Sequence, residues 1–201
     1  MRPLPATFVR GVATSTDLPA ARLPEICVCG RSNVGKSSML NVLFGIRGLA
    51  RVSRTPGRTR EMNFFSIGGR YHLVDLPGYG YARAPAKAKG QWGGLVRSYL
   101  DEREQLAGIL QLVDARHEPS AQDREMLEWL AESGRAARIV ATKIDKLGRM
   151  ERASRLKGLA ESTLGLAVLP FSAVTREGRE EILAWIEETA RAWHGPRRTG
   201  E

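Results

Sequence analysis

The stretch EICVCGRSNVGKSSMLNVLFG, residues 25–45, decides the fold of this chain. Its first part is apolar and predicts a buried strand, and its last part has the apolar spacing of a helix. Between them, Gly30, four further residues, Gly35, Lys36 and Ser37 match the spacing of a phosphate-binding loop. Because strand, loop and helix follow in the required order, a merely structural glycine turn is a poor alternative.

In such a loop, backbone N–H groups surround the phosphates, the lysine reaches the β and γ oxygens, and the next hydroxyl holds Mg²⁺. The positive N-terminal end of the following helix adds to the attraction. We therefore predict a nucleotide phosphate site in which Lys36 is also a catalytic candidate and Ser37 is a metal ligand. The predicted phosphate contacts are Gly30, Arg31, Ser32, Asn33, Val34, Gly35, Lys36, Ser37 and Ser38.

Short apolar runs alternate with helical patterns along the rest of the chain, which predicts a three-layer α/β domain. Runs that are apolar throughout indicate parallel strands covered by helices on both faces. The diglycine at 68–69 is too short for a crossover and predicts one antiparallel edge strand on a mostly parallel six-stranded sheet. Strands are predicted near 25–30, 61–68, 70–75, 107–114, 136–142 and 167–172, and helices near 36–44, 91–102, 120–133, 149–164 and 176–193.

A second apolar strand ends in LVDLPGYG, residues 73–80. Ligands of this kind of fold gather at the carboxyl ends of strands, so we expect Asp75 to face the metal site and to bind Mg²⁺ through water. In an Asp-x-x-Gly pattern, the Gly78 N–H can bond to the γ-phosphate, and loss of that phosphate releases the loop. A helix cap or turn is the alternative role of the aspartate. The nucleotide contacts predicted here are Asp75, Leu76, Pro77 and Gly78.

Between these motifs lies RVSRTPGRTREMNFF, residues 51–65, which is rich in arginine and turn residues. A threonine in such a loop can close over Mg²⁺ when the γ-phosphate is present. We expect Thr59 to have this role, as metal ligand and catalytic candidate, and Thr55 is the alternative. Gly57, Arg58 and Thr59 are the nucleotide contacts predicted in this segment.

The base is expected at the ends of two later strands. In TKIDK, residues 142–146, the Asp145 carboxylate can accept both the N1 and N2 hydrogens of guanine, a pair that adenine does not offer, and the Lys143 stem can cover the base. In PFSAV, the backbone of Ser172 and Ala173 can contact the guanine O6, although Ser172 can also be a plain loop residue. The predicted contacts are Thr142, Lys143, Ile144, Asp145, Lys146, Phe171, Ser172 and Ala173.

The length of 201 residues and the 42% hydrophobic content suit one domain. We expect a partly ordered N-terminal extension over 1–21, a GTP-binding domain over 22–194 and a flexible tail over 195–201. Neither a run of about 18 apolar residues nor the apolar block of a signal peptide is present, so we expect a cytoplasmic protein. Cys27 and Cys29 share one face of a strand and are predicted to be packed, reduced thiols.

The net positive charge of the chain comes entirely from its first half. Residues 1–100 carry 15 Lys and Arg against 4 Asp and Glu, whereas residues 101–201 carry 16 against 18. A basic excess on loops favours a polyanionic partner, because phosphate contacts release counterions from nucleic acid. Plain solvated arginines are the alternative. The basic residues concerned are Arg47, Arg51, Arg54, Arg58, Arg60, Arg83, Lys87, Lys89 and Arg97.

The order GRSNVGKSS, TPGRT, VDLPGYGYA, LVDARHEPSAQD, TKIDK and FSA resembles the EngB family, also called YihA or YsxC, of bacterial ribosome-biogenesis GTPases. The resemblance spans about residues 7–193, and GYGYA and RHEPS are its most specific parts. It implies a P-loop NTPase fold of the small GTPase type, slow hydrolysis of GTP to GDP, and a role in late assembly of the large ribosomal subunit. Ribosomal RNA is then the expected polyanion, with neither DNA nor a membrane as partner, and the protein is expected to be a monomer.

Tyr79 stands where many switch GTPases have a glutamine that orients the attacking water. Either hydrolysis is slow by design, or the partner completes the site, or a monovalent cation adds charge at the phosphates. By resemblance to related loops, Asn33 is a K⁺ ligand candidate, and a turn cap is the alternative. The other functional class left open is a binding module that uses the nucleotide as a clasp and hardly turns over. An ATP-using kinase or transporter is disfavoured by TKIDK.

Overall fold

The structure is a computed structural model that describes residues 4–20, 22–45, 61–79 and 86–195, without the side chains of 86–93. Within those residues, seven strands form one sheet in the order β1-β3-β4-β2-β5-β6-β7. The strands are β1 Ala6–Val12, β2 Glu25–Gly30, β3 Met62–Ile67, β4 Tyr71–Asp75, β5 Leu106–Asp114, β6 Ala137–Thr142 and β7 Val168–Pro170. The α-helices are α1 Lys36–Phe44, α2 Ala86–Glu102, α3 Ala121–Glu132, α4 Arg149–Ser162 and α5 Arg179–Ala192.

The central strand β2 explains why the sheet has helices on both faces. All six of its residues are buried, and side chains alternate between the two faces of a strand. Ile26 and Val28 pack into a core with α1 and α5, whereas Cys27 and Cys29 pack into a second core with α2, α3 and α4. The three-layer α/β fold predicted from the sequence is therefore confirmed.

Parallel pairing brings the candidate loops to one edge of the sheet. Strand β2 pairs in parallel with both β4 and β5, and β6 pairs in parallel with both β5 and β7. The carboxyl ends of these strands therefore point the same way, and the segments that follow them meet. Each predicted motif at the end of a described strand lies at this edge.

The turn between β3 and β4 is built by two glycines. Gly68 and Gly69 have φ values of 57° and 66°, in the region that favours glycine, and the Arg70 amide donates to the Ile67 carbonyl at 3.0 Å. The two strands pair antiparallel with Asn63 opposite Asp75. The antiparallel pair predicted from the diglycine is thus confirmed.

Strand β1 is the part of the sheet that the sequence does not predict. Residues Ala6–Val12 pair antiparallel with β3, so the described sheet has seven strands rather than the six expected, and its edge has two antiparallel pairings. Most β1 side chains are exposed, which leaves a weak apolar pattern. The Phe8 ring packs edge-on against Phe65, with the ring centroids 5.5 Å apart. The extension predicted over 1–21 as partly ordered thus contains an edge strand that the sequence did not predict.

Both cysteines are buried and are not joined in a disulfide. Burial raises the pKa of the Cys27 thiol well above its usual value, so this side chain stays protonated. The prediction of packed, reduced thiols is confirmed. Among the residues that the structure describes, no helix is both long and apolar enough to cross a bilayer.

Candidate functional site

The candidate phosphate loop connects the end of β2 to the start of α1. Three of its residues have backbone φ in the left-handed region: Gly30 at 153°, Asn33 at 65° and Gly35 at 111°. A Cβ atom on Gly30 would lie 3.0 Å from the Leu112 carbonyl oxygen, so a larger residue does not fit there. Helix α1 then begins at Lys36. The positive end of the helix thus opens directly onto the loop, as a phosphate site requires.

Lys36 and Asp75 form an ion pair through Nζ and Oδ1. Their side chains are 12% and 8% exposed, so the pair is largely withdrawn from water. Parallel pairing places Asp75 beside Val28 of β2, only a few residues before the loop. The structure therefore brings together the two charged residues that the sequence predicts at the phosphates and the metal.

The residues at this edge fit a magnesium ion. The Ser37 hydroxyl and the Asp75 carboxylate are hard oxygen donors, the kind that Mg²⁺ prefers, and both belong to segments that meet beside Lys36. When bound, the ion neutralises charge on the β and γ oxygens of the nucleotide. The third predicted ligand, Thr59, lies outside the described residues.

The loop after β4 rests directly on the phosphate loop. The Leu76 amide donates to the Val28 carbonyl at 3.0 Å, and the Ser32 amide donates to the Tyr79 carbonyl at 3.0 Å. A Cβ atom on Gly78 would lie 3.0 Å from the Ser32 nitrogen, so glycine is needed for this close approach. Gly78, the predicted γ-phosphate contact, is therefore next to the phosphate loop.

The loop after β6 braces the phosphate loop from its other side. The Thr142 hydroxyl donates to the Val34 carbonyl at 2.7 Å, and Lys143 Nζ donates to the Asn33 carbonyl at 2.6 Å. Lys143 has a φ of 61°, which turns the chain sharply at the end of the strand. The Lys143 stem therefore extends from the loop after β6, the base loop, towards the phosphate loop.

The predicted base contacts at 171–173 lie beside Asp145. The Ser172 hydroxyl donates to Asp145 Oδ1 at 2.7 Å, and the Ser172 amide donates to the Glu177 carbonyl at 3.1 Å. Ser172 is fully buried, whereas Ala173 is partly exposed. Ser172 thus orients the carboxylate through its side chain, a role that sequence reasoning did not assign, and its backbone N–H already has an acceptor.

Sequence reasoning also missed Asp114, the last residue of β5. Its carboxylate accepts from Lys143 Nζ at 2.8 Å and from both Nε and Nη2 of Arg116 at 2.9 and 2.8 Å. Burial alone raises the pKa of Asp114, but the hydrogen bonds from Arg116 and Lys143 outweigh burial and hold this pKa well below its usual range. Asp114 is therefore an anion that fixes the lysine. The sequence contained a signal for Asp114, because the tripeptide LVD that ends β4 at Asp75 also ends β5 at Asp114.

Some predicted residues lie outside the part of the chain that the structure describes. Gly57, Arg58 and Thr59, and the alternative Thr55, fall in the undescribed range 46–60. The same holds for most of the basic residues, and the side chains of Lys87 and Lys89 on α2 are not described. Their roles stay predictions.

Phosphate, metal and base motifs that meet at one edge of a mostly parallel sheet are the arrangement of the P-loop GTPases. The family comparison agrees, because residues 25–143 match the family described as "50S ribosome-binding GTPase". The site and the fold therefore define this chain as a P-loop GTPase, a class that binds GTP and hydrolyses it to GDP with Mg²⁺.

Curated relatives narrow the class to one family. The chain is 49% identical over 184 residues to "Probable GTP-binding protein EngB" of Pelotomaculum thermopropionicum, which covers 90% of this chain and 93% of the relative. It is 46% identical to the protein of the same name from Geobacter sulfurreducens, over 95% and 94% of the two chains. The chain belongs to the EngB family of GTP-binding proteins.

Solved structures agree on the fold. The crystal structure of a probable GTP-binding protein engB superposes with a TM-score of 0.69 at 20% identity, over 84% of this chain and 99% of that one. The Aquifex aeolicus protein Era, bound to GDP and AlF4⁻, gives a TM-score of 0.60 at 21% identity, over 83% and 56%. At these identities the likeness concerns the fold alone.

Proposed function

We propose that this chain is a slow GTPase switch of the cytoplasm that acts, as a monomer, in late assembly of the large ribosomal subunit. The observation that carries the proposal is the distribution of charge. The basic excess falls in the first half of the chain, where the nucleotide-sensing segments also lie. The description of the matching family as ribosome-binding supports the same partner.

The phosphate end of the site has a distinct role for each of its groups. Backbone N–H groups of the loop would bind the phosphates, Lys36 would exchange Asp75 for phosphate oxygens, and Ser37 and Asp75 would hold Mg²⁺, which would neutralise phosphate charge. The Gly78 N–H bonds to the γ-phosphate, which makes its loop sensitive to hydrolysis. Thr59 is the further residue that would hold the metal in the GTP state.

The base end selects guanine. Asp145, oriented by the Ser172 hydroxyl, accepts the N1 and N2 hydrogens. Because the Ser172 amide donates to Glu177, we assign the O6 contact to Ala173 alone. An Asp145→Asn variant is expected to lose GTP affinity on the order of 100-fold, since two charge-assisted hydrogen bonds are lost, and to gain affinity for xanthosine triphosphate. Titration of both nucleotides, with Asp101→Asn as a surface control, tests this, and unchanged selectivity removes Asp145 from the site.

We propose Asn33 as the ligand of a monovalent cation, which would add positive charge at the phosphates. Asn33 is exposed, and its left-handed backbone is held by the bond from Lys143 to its carbonyl. Single-turnover hydrolysis measured in K⁺ and in Na⁺, for the wild type and Asn33→Ala, tests the idea. Faster hydrolysis in K⁺ that the variant loses supports it, and equal rates in both salts refute it.

The GTP state orders a surface for ribosomal RNA. Its proposed members are Arg51, Arg54, Arg58, Arg83 and Lys87. Purified large subunits are pelleted with the protein bound to GDP, GTP or a non-hydrolysable analogue, over a series of salt concentrations. We expect binding in the GTP states that falls steeply with salt, because counterions are released from RNA. Equal pelleting with GDP and GTP, without salt dependence, contradicts the proposal.

The second candidate is a binding module that uses the bound nucleotide as a structural element and hydrolyses it very slowly. The observation in its favour is Tyr79. This side chain has no amide to orient a water molecule, and it is not free to move because its hydroxyl donates to Asp123. The two candidates differ in single-turnover hydrolysis with large subunits present. A clasp stays slow, whereas a switch is accelerated by its partner.

A further inference from the structure

Tyr79 follows the γ-phosphate-sensing glycine, but its hydroxyl is directed into the protein. It donates to Asp123 Oδ1 at 2.6 Å and accepts a short hydrogen bond from Gln111 Nε2. A tyrosine hydroxyl has one hydrogen to donate, and here that hydrogen is in use. Gln111 is fully buried and Asp123 nearly so, at 0% and 3% exposed. The Tyr79 side chain is therefore held in place by two buried side chains, those of Gln111 and Asp123.

The hydrogen-bond chain extends in both directions from this tyrosine. On one side, the Cys29 thiol donates to Gln111 Oε1 at 2.9 Å, and Cys29 immediately precedes the phosphate loop. On the other side, Asp123 Oδ2 accepts from the Ser120 amide at 2.9 Å and from its hydroxyl at 2.6 Å, in the capping box of α3. One continuous chain of hydrogen bonds thus links β2, β5, α3 and the described part of the loop after β4, residues 76–79, which we call the sensing loop. Linked hydrogen bonds of this kind polarise one another and stiffen the groups they join.

The backbone of Tyr79 shows what this anchoring holds in place. Its carbonyl accepts from the Ser32 amide at 3.0 Å, and Arg31 and Tyr79 form a parallel bridge. Gly78 is pressed so closely on Ser32 that a methyl group would meet the Ser32 nitrogen at 3.0 Å. The side-chain anchor and the backbone contacts therefore fix the same residue from two sides. Gly78 is thereby held against the phosphate loop.

We propose that Tyr79 is a positioning residue for GTP hydrolysis, whose hydroxyl anchors the sensing loop to Gln111 and Asp123 and so sets the place of Gly78 at the γ-phosphate. The residue that replaces the usual glutamine thus orients the loop rather than the water. This role concerns hydrolysis by a member of a GTPase family, and it does not depend on the ribosome as partner. A failed pelleting experiment with large subunits leaves it untouched.

The protonation state of the Tyr79 hydroxyl supports this role. Burial is the largest cause that raises the pKa of Tyr79, and the neighbouring Cys29 and Asp123 add to it. The hydroxyl is therefore protonated throughout the physiological range, and it remains a donor to Asp123. The anchor does not open by titration of the tyrosine.

The test is the Tyr79→Phe variant, which keeps the ring and removes the hydroxyl. We expect kcat for GTP to fall about tenfold, the factor that corresponds to the net contribution of one hydrogen bond, while GDP affinity is unchanged. Tyr71→Phe is the matched control. Tyr71 is also buried and its hydroxyl also donates to a carboxylate, Glu187 at 3.3 Å, but it begins β4 at the end remote from the site.

A second variant separates the anchor from the stability of α3. Ser120→Ala removes a hydroxyl from the capping box but keeps Asp123 as the acceptor for Tyr79. We expect it to lower the midpoint of thermal unfolding and to lower kcat by less than Tyr79→Phe does, because the acceptor of the Tyr79 hydroxyl stays in place. The proposal is overturned if Tyr79→Phe retains the wild-type kcat, or if Ser120→Ala or Tyr71→Phe lowers kcat as much as Tyr79→Phe does.

Discussion

Two buried pairs of opposite charge lie at opposite ends of the sheet, and they are built differently. At the amino end of β2, the Glu25 carboxylate accepts from Arg103 Nε at 3.1 and 3.2 Å, from Arg103 Nη2 at 2.6 Å and from the Tyr99 hydroxyl at 3.0 Å. At the carboxyl end, Lys36 meets Asp75 through one pair of atoms.

The difference separates a structural charge from a functional one. Both oxygens of Glu25 are bound by fixed donors, and Arg103 also donates to the Pro19 carbonyl at 2.9 Å, so the amino-end pair is complete without a ligand. A buried pair of this kind is costly to break, because removal of one partner strands a charge. Lys36 and Asp75 instead present groups that nucleotide and metal can recruit. Among the described residues, the Glu25 carboxylate thus accepts four hydrogen bonds and the Asp75 carboxylate accepts one, which leaves Asp75 more available for binding.

The largest effect is expected from Arg103→Met, which leaves Glu25 buried without its cation. The free energy of unfolding should fall by about 3–5 kcal/mol, the usual cost of stranding a buried charge. Urea denaturation measures this loss. In the folded fraction, GDP affinity should change less than twofold, because Glu25 lies at the end of the sheet remote from the phosphate loop. Arg97→Met is the control, since Arg97 forms an exposed pair with Asp101 at 3.5 Å, for which about 0.5 kcal/mol is expected.

The next effect is expected from Lys36→Met at the carboxyl end. GDP affinity should fall by about 2–4 kcal/mol, or roughly 30- to 1000-fold, because a buried charged contact to phosphate is lost. Titration with a fluorescent GDP analogue measures the change. Lys157→Met is the control, because Lys157 pairs with Glu161 at 3.9 Å on the exposed side of α4. If Arg103→Met weakened GDP binding as strongly as Lys36→Met, the distinction between the two ends would be lost.

A smaller effect is expected from Gly78→Ala, which tests the contact between the sensing loop and the phosphate loop. The added methyl group meets the Ser32 backbone at 3.0 Å, so the loop must shift, at a cost of about 1–3 kcal/mol. We expect about tenfold weaker GTP binding with GDP binding unchanged, measured by competition titration. Gly94→Ala is the control, since a methyl group there meets nothing within 4 Å. Equal loss of both nucleotides would mean that Gly78 does not distinguish them.

The smallest effect is expected from His72→Gln at the amino end of β4, and it concerns how the free energy of unfolding depends on pH. Burial lowers the pKa of His72 below its ordinary value of 6.5, although nearby Glu25 opposes the shift. The unfolded chain therefore takes up a proton first, and stability present above pH 6.5 is lost as the pH falls towards the folded-state pKa. Between pH 7.5 and 5.5, the free energy of unfolding of the wild type should fall more than that of the variant. Parallel curves would show that His72 does not titrate on unfolding.

The elements and the loops of the site were predictable because their signals are local. The spacing from Gly30 to Ser37, the Asp75 to Gly78 turn and the TKIDK segment each fall within a few residues, and their order fixes their meeting at one sheet edge. Even the antiparallel pair follows from two adjacent glycines.

The contacts between the loops were not predictable, because they join residues far apart in the chain. Tyr79 and Asp123 are 44 residues apart, and Arg103 and Glu25 are 78 apart. Side chains such as Asp114 carry no local pattern that specifies Lys143 as their partner. Strand β1 escaped prediction for a different reason, since at an exposed edge it needs few apolar residues.

The bonds from Thr142 to Val34 and from Lys143 to Asn33 have a consequence for how the nucleotide binds. They tie the base loop to the phosphate loop, so the distance between the two subsites is set by the protein. Guanine and the phosphates then behave as two tethered ligands, and binding of one raises the effective concentration of the other. Guanosine or pyrophosphate alone occupies only one subsite and gains nothing from this effective concentration. The whole nucleotide is therefore bound far more tightly than either fragment.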